Sequence, residues 1–503
     1  MELKELTEKT LELFKVKTTD ELSNSIMQAV EGNNLQMYEQ FLSMVEDLSI
    51  DWLQMIFQYY EADRKEKMQD YTPASLARFA GKLNGDADVV IDMCAGSGSL
   101  TIQKWNLNNN TKFILYEFDE KVMPFLLFNM AIRNIECIVH RSDVLQQEIF
   151  NTWHITKGEK FGTIKSSGLM FNGKYALLSN PPYNMKWIAP PFAQLQKRFN
   201  ACELPPDSNA NYAFVLTALD MAERASFILP CGMLTTDNAQ EKAIREYLVN
   251  NNLIESIVLC PDKMFESTSI STCIITFDKN KQTTYIEMVD MRQKYTIESR
   301  KQNGQFGGKA HTNRTYSKDV KCFSEEQMED ALLCISEKKN IAEYCKAVTI
   351  EDIKNNDYKL TPAHYIEFAE RENSHREYTE IVADLNRIIR EKNACKLTIN
   401  ETLAKALGFN LELYKTTHNK EFDDLIKKIA GQKIERDNYF SVTKNKNEVK
   451  FENNSKDSIS SIFMLIFNMW KQHIYYLNQE ENRYLAELRD AMLPDLMSGK
   501  IET

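Results

Sequence analysis

An asparagine, two prolines and a tyrosine stand in a row at Asn180-Pro181-Pro182-Tyr183, directly after the apolar run Tyr175-Ala176-Leu177-Leu178 and Ser179. Such a run has the character of a buried strand. Proline has no N–H to donate and a fixed φ, so a sheet ladder cannot continue through the pair. The chain must leave the sheet stiffly, carrying a side-chain amide and an aromatic ring at the carboxyl end of a strand, where open α/β sheets bind ligands. The Asn180 side-chain carbonyl and the Pro181 backbone carbonyl are two acceptors held side by side. That pair suits an exocyclic –NH2 with two hydrogens. Tyr183 offers a flat face on which a base can stack. Four residues alone are equally a strand-ending turn, so their meaning depends on what lies upstream.

Upstream stands Asp92-Met93-Cys94-Ala95-Gly96-Ser97-Gly98-Ser99, after the short strand Val89-Val90-Ile91 and before a helix starting near Leu100. Small residues in such a turn let a ligand approach the backbone and open a helix N-terminus behind it. A dinucleotide fingerprint would want a third glycine where Thr101 stands, so GxGxxG is not met. The next strand, Phe113 to Tyr116, ends at Glu117, whose carboxylate suits the two hydroxyls of a ribose. The third, Ile138-Val139, leads to Asp143, placed to accept an adenine amino group. The plainer reading of both acids is a solvated strand end. An adenosine site beside an amino-group clamp, with no phosphate-binding lysine motif, reads as S-adenosylmethionine across the first strands and an –NH2 acceptor at Asn180 and Pro181.

The elements that must hold these residues alternate strand and helix. Helices are expected over Ser75 to Leu83, Glu120 to Arg133 and Ala239 to Asn250, and later strands over Ala225–Leu229, Ile254–Leu259 and Thr272–Phe277. That order predicts a mostly parallel, doubly wound α/β sheet. Two segments interrupt it: Trp153 to Lys174, read as a hairpin, and the proline-containing loop from Met185 to Asn209. Long loops beside a ligand-binding strand end are often lids or substrate contacts. Arg292 to Lys321 is rich in Lys and Arg; a solvated surface loop and a DNA-backbone contact are both open readings. Residues 1–68 read as an amino-terminal helical domain and 69–370 as the α/β domain. Residues 371–503 read as a helical assembly region, because Tyr378, Ile381, Leu385 and Ile388, then Ile459, Phe463, Ile466, Trp470 and Leu477, follow three-four spacing. Two such stripes suggest an antiparallel helical hairpin or coiled coil.

The 503 residues carry a net charge of −11, with 43% hydrophobic and 26% charged residues. A chain so acidic is no freestanding nonspecific nucleic-acid binder, since phosphate attraction supplies that affinity. DNA handling would require a local basic cleft or a basic partner. No apolar run is long enough to span a bilayer, no signal-peptide core follows Met1, and the ten cysteines lack zinc-site or disulfide-framework spacing, so no metal is expected. Free thiols fit a cytoplasmic location.

These motifs together resemble the amino-methylating DNA methyltransferases, and specifically the modification subunits of type I restriction systems, over roughly residues 65 to 370. Tyr71-Thr72-Pro73 is similar to the family's segment that contacts the methionine end of the cofactor. Asp92 to Gly98 is similar to its glycine motif, with Asp92, Ala95, Gly96, Ser97 and Gly98 then expected at the cofactor beside Glu117 and Asp143. Asn180-Pro181-Pro182-Tyr183 is similar to its catalytic motif. Leu229-Pro230-Cys231-Gly232-Met233-Leu234, Ile244 to Leu248, Phe265 to Cys273 and Asp357 to Tyr365 are similar to stretches more particular to the type I group. Leu488 to Ile501 resembles instead the helical spacer of the specificity subunits. The resemblance implies a Rossmann-like class I fold that transfers methyl from S-adenosylmethionine to adenine N6 in double-stranded DNA. It further implies a separate specificity subunit, a restriction subunit, and a possible homodimer through the C-terminal helices. The same Asn-Pro-Pro-Tyr clamp also serves protein glutamine-N5 and RNA methyltransferases. N4-cytosine methylation and a noncatalytic assembly role are further alternatives.

Overall fold

Val89–Asp92 (β1) is buried along its whole length, and its Val90 and Ile91 side chains enter two different cores, as alternation along a strand requires. The same split separates Leu178 from Leu177 and Ile228 from Phe227. A sheet with apolar residues on both faces needs a layer on each, and the chain supplies both. The computed structural model describes residues 3–45, 47–60, 72–265, 270–303, 315–367, 376–406, 440–445, 448–453 and 470–497, which fall into two units, Met1–Ala369 and Glu370–Thr503.

Four helices open the first unit: α1 (Leu3–Leu13), α2 (Thr19–Glu31), α3 (Leu35–Leu42) and α4 (Trp52–Tyr60). After α5 (Ala74–Leu83) and β1 come α6 (Ser99–Leu107), β2 (Lys112–Glu117), α7 (Met123–Ile132) and β3 (Cys137–Asp143). The hairpin β4 (Glu148–Thr156) and β5 (Thr163–Lys165) precedes β6 (Tyr175–Ser179), α8 (Asn211–Met221) and β7 (Arg224–Pro230). Then follow α9 (Ala239–Asn250), β8 (Ile254–Leu259), β9 (Thr272–Asp278) and β10 (Tyr285–Asp290). A ribbon of β11 (Thr296–Asn303) and β12 (Thr315–Cys322), then α10 (Glu325–Glu337), β13 (Cys345–Thr349) and α11 (Ile350–Asn355), complete the unit.

The main sheet runs β13-β10-β8-β9-β7-β6-β1-β2-β3-β4-β5. Its middle, β7-β6-β1-β2-β3, is parallel. The β4–β5 hairpin joins one side antiparallel, and β9 pairs antiparallel with β7 and β8 on the other. The sheet is thus less uniformly parallel than the sequence suggested. The alternating strand–helix pattern identifies the crossovers, but not the antiparallel strands added outside them. The chain goes from β1 to β2 and β3 on one side and returns with β6 and β7 on the other, so β1 marks the point where strand order reverses. Ligand crevices of open α/β sheets form there.

The amino-terminal helices share one core with α7. Phe14, Tyr38 and Phe41 each set an edge against the Phe128 ring, at centroid distances of 5.6, 5.2 and 5.2 Å, a favoured aromatic geometry. In the second unit α12 (Tyr378–Ala406) packs on α13 (Tyr476–Met497). They run antiparallel: the Tyr378 hydroxyl donates to the Ala491 carbonyl at 3.2 Å, and Lys392 pairs with Glu481 farther along. A small ribbon of β14 (Phe440–Asn445) and β15 (Glu448–Asn453) belongs to this unit; the sequence reading had no strand there. The expected stripe residues Ile459, Phe463 and Ile466 lie outside the described residues.

Candidate active site

The carboxyl ends of β1, β2, β3 and β6 open on one cavity of about 850 Å³. The glycine turn forms its floor. Gly96 and Gly98 take φ of +55° and +100°, conformations that side chains disfavour. A Cβ on Gly98 would also stand 2.7 Å from Met130 Cε. Glu117 binds this turn from the cavity side. Its Oε2 accepts the Gly96 N–H at 2.8 Å and its Oε1 the Asp119 N–H at 2.7 Å. Burial raises the Glu117 pKa, against the lowering effect of those two N–H groups. Asp143 lines the same cavity and its Oδ1 accepts the N–H groups of Leu145 and Gln146, both at 3.0 Å.

Asp92 sits beneath the floor, not in the wall. It is 1% exposed; its Oδ1 accepts the Cys94 N–H at 3.1 Å and the Ser179 hydroxyl at 2.9 Å. Its Oδ2 is buried without a hydrogen bond among the described residues. Burial pushes its pKa up to about 7, with Glu117 adding a smaller push in the same direction. The Ser179–Asp92 bond fastens the end of β6 to the end of β1, which brings the two motifs together.

At the end of β6 the proline pair turns the chain out, as expected. The Asn180 amide is oriented at both ends: Nδ2 donates to Thr72 Oγ1 at 2.8 Å, and Oδ1 accepts the Tyr183 hydroxyl at 2.7 Å. The Tyr183 ring meets Phe265 edge-on at 6.0 Å. Asn184 follows at φ +51°, held by an amide exchange with Asn211 at 3.1 and 3.2 Å. Thr72, Asn180, Pro181, Pro182 and Tyr183 line the cavity together with Ala95, Gly96, Ser97, Glu117 and Asp143. Pro73 N-caps α5 by position. Tyr71 lies outside the described residues.

Several wall residues are not singled out one by one by the sequence, although the Met185 to Asn209 loop reads as a lid or substrate contact. Phe118, 62% exposed, follows Glu117 in the wall. Its position after the strand-end acid was the available signal. Met185, Lys186, Trp187 and Ile188 bring the long loop into the wall. Arg198 ties that loop down, donating to the Leu145 carbonyl at 2.6 Å and the Thr217 hydroxyl at 3.0 Å, while Gln146 donates to the Ile188 carbonyl at 2.7 Å. These links join residues far apart in sequence, so no local pattern announces them. Ser142 lines the cavity, with its hydroxyl buried and without a hydrogen bond among the described residues.

The basic stretch Arg292 to Lys321 is a two-stranded ribbon where described, and its base is neutralised: Arg292 pairs with Asp290, Lys294 with Asp330 and Lys321 with Asp262. Among the described residues no helix is long and apolar enough to cross a membrane.

The family described as N-6 DNA Methylase matches residues 46–374. The methylase subunit of the type I restriction enzyme MpnII of Mycoplasma pneumoniae is 28% identical over 325 residues, covering 62% of this chain and 55% of that protein. The HindI methylase subunit of Haemophilus influenzae is 25% identical over 377 residues, covering 71% and 78%. The chain therefore spans little more than half of the Mycoplasma relative. A solved type I restriction-modification methyltransferase subunit from Streptococcus thermophilus has the same fold, with a TM-score of 0.51, 18% identity, and 73% and 80% of the two chains covered.

Proposed function

The chain belongs to the N-6 DNA methylase family, and from that membership we propose that it transfers a methyl group from S-adenosylmethionine to adenine N6 in double-stranded DNA. The observation that carries this reading is one cavity shared by the glycine turn, the two strand-end carboxylates and the Asn180 amide.

The residues fit the cofactor. Glu117 uses each oxygen for one backbone N–H, and a carboxylate oxygen has a second lone pair left for a ribose hydroxyl. Asp143 supplies a polar group on the adenine side, with Val144 and Leu145 as apolar wall. Ala95, Gly96, Ser97 and Thr72 border the methionine side. S-adenosylmethionine supplies an electrophilic methyl group when bound there.

The chain's own residues prepare the nucleophile. An adenine inside a duplex is stacked and paired, so it must be extruded at a cost of a few kcal/mol. Stacking on Tyr183 recovers about 1–3 kcal/mol. Thr72 fixes the Asn180 amide so that Oδ1 faces the cavity wall at Tyr183. The arriving amino group displaces the Tyr183 hydroxyl from Oδ1, and Asn180 and Pro181 accept its two hydrogens. This holds the nitrogen lone pair in one direction, and such alignment supplies much of the rate. No strong base is required, because a methylated ammonium nitrogen readily loses its proton to Asn180 or water.

The enzyme is read as the cytoplasmic modification subunit of a type I-like restriction-modification or related defence system, with target choice on a separate specificity subunit and cleavage on a restriction subunit. Its net charge of −11 favours shared DNA binding. The second unit carries exposed Val382, Leu397 and Leu485 on its helix pair, which suits docking of the specificity subunit or a second copy. Tritiated methyl transfer to DNA, RNA and a peptide, run side by side, tests the substrate class. The expected result is label in DNA as N6-methyladenine; label in RNA or in a glutamine amide instead would overturn the reading. Asn180→Ala is expected to lose about 10²–10³-fold in turnover while still binding cofactor in calorimetry, and wild-type-like turnover in that variant would end the assignment.

A further inference from the structure

The segment before α4 reaches the glycine turn from behind. Asp51 caps that helix: its Oδ1 accepts the Gln54 N–H at 2.9 Å, the ordinary use of an aspartate at this position. Here the carboxylate is also buried and bonds three further groups. Oδ1 accepts Asn129 Nδ2 at 2.8 Å, and Oδ2 accepts the Ser97 hydroxyl at 2.6 Å and, more weakly, the Ser99 hydroxyl at 3.4 Å. Ser97 lies between the two positive-φ glycines, so Asp51 grips the middle of the turn that floors the cavity.

The rest of the segment is fastened alongside. The buried Arg133 guanidinium of α7's C-terminus donates to the Leu48 and Ile50 carbonyls, both at 2.8 Å, and to Asn129 Oδ1 at 2.8 Å. From α6, Gln103 donates to the Ser49 carbonyl at 2.7 Å. Arg133 also offsets the buried Asp51 charge, without which a carboxylate in that setting would be costly. The glycine turn is thus held from two sides, by Glu117 within the cavity and by Asp51 behind it.

We propose that Asp51 is a positioning residue for the cofactor site, linking the amino-terminal helices to the glycine turn so that cofactor binding and the placement of those helices favour one another. The proposal rests on reading the cavity as an S-adenosylmethionine site. Linkage of this kind is reciprocal. The bound cofactor stiffens residues 48–56, which do not line the cavity, and any partner that displaces them weakens the cofactor.

The test uses the full chain. Asp51→Ser keeps a good capping residue but is too short to reach Ser97, and Ser97→Ala cuts the link at its other end. Calorimetry with S-adenosylmethionine is expected to give about tenfold weaker binding for each variant. The double variant should be no weaker than the poorer single, because both remove one link. In turnover, the cofactor KM of Asp51→Ser rises while its kcat at saturation stays within about twofold. Hydrogen exchange in wild type should slow at amides 48–56 on cofactor addition, and this protection should vanish in Asp51→Ser. Unchanged affinity in the variants, or no cofactor-dependent protection of 48–56 in wild type, overturns the proposal. Should Asp51→Ser fail to fold, Ser97→Ala and the wild-type exchange data decide. Absence of cofactor binding by wild type would instead overturn the reading of the cavity, and this proposal with it.

Discussion

Asp92 is a carboxyl group buried at the end of the central strand with one oxygen unpartnered among the described residues, and its pKa rises from the ordinary 3.8 to about 7. Below pH 4 the folded and unfolded chains both hold this proton. Between pH 4 and 7 only the folded chain does, so stability falls as pH rises, and above 7 the loss is complete. A shift of that size corresponds to roughly 4 kcal/mol. Asp92→Asn keeps the shape and the acceptor for Cys94 and Ser179 but has no proton to lose. Urea unfolding at pH 4.5 and pH 8 should therefore favour the variant progressively toward the higher pH; parallel curves for the two proteins would refute the assignment. A second pair of side chains tests the clamp. Thr72→Val leaves Asn180 Nδ2 without its acceptor and frees the amide to turn, for an expected loss of about 100-fold in kcat. Tyr183→Phe keeps the stacking ring and removes only the hydroxyl that Oδ1 gives up to substrate, so steady-state turnover on DNA should survive it. If Thr72→Val turned over normally, the amide orientation would not matter to the chemistry.

The glycine turn makes demands on the elements around it. Gly98 at φ +100° begins α6, and a methyl group there would press on Met130 Cε at 2.7 Å and Leu126 Cδ1 at 3.1 Å, both on α7. Gly98→Ala is expected to lower stability by about 1–3 kcal/mol and to weaken cofactor binding, because the turn and two helices must shift together; thermal melting and calorimetry check both effects. This turn was readable from sequence, as were the strand ends at Asp92, Glu117 and Asp143 and the exit from β6 at Asn180, because short apolar runs closed by small or polar residues are local signals. Strand β8 was read with its observed ends. Other elements hid for physical reasons. Strand β10 buries Glu287 and Asp290, so it lacks the apolar run that marks an interior strand. Strand β4 is largely exposed at its start, and the hairpin begins at Glu148, earlier than Trp153. Helix α7 begins at Met123, not Glu120, where Pro124 fits the first turn. The Asp51–Ser97 bond spans 46 positions; locally Asp51 is only a helix cap.

Across the whole molecule, the described residues that line the cavity belong to the first unit. The helix pair α12 and α13 of the second unit is sparsely buried. In α12 the fully buried apolar residues among those described are Ile381 and Ile388, seven apart, the spacing of a coiled-coil seam. A charge at either position must be buried without a partner or the helices must separate, and either outcome costs a few kcal/mol. Ile381→Asp and Ile388→Asp should therefore open the hairpin while leaving S-adenosylmethionine affinity within about twofold of wild type, since the described cavity wall is built by the first unit. Size-exclusion chromatography with light scattering, with and without a candidate specificity subunit, should show association for wild type and none for the double variant. Loss of cofactor binding along with association would mean that the second unit supports the first. Unaffected association would move the docking surface off this helix pair.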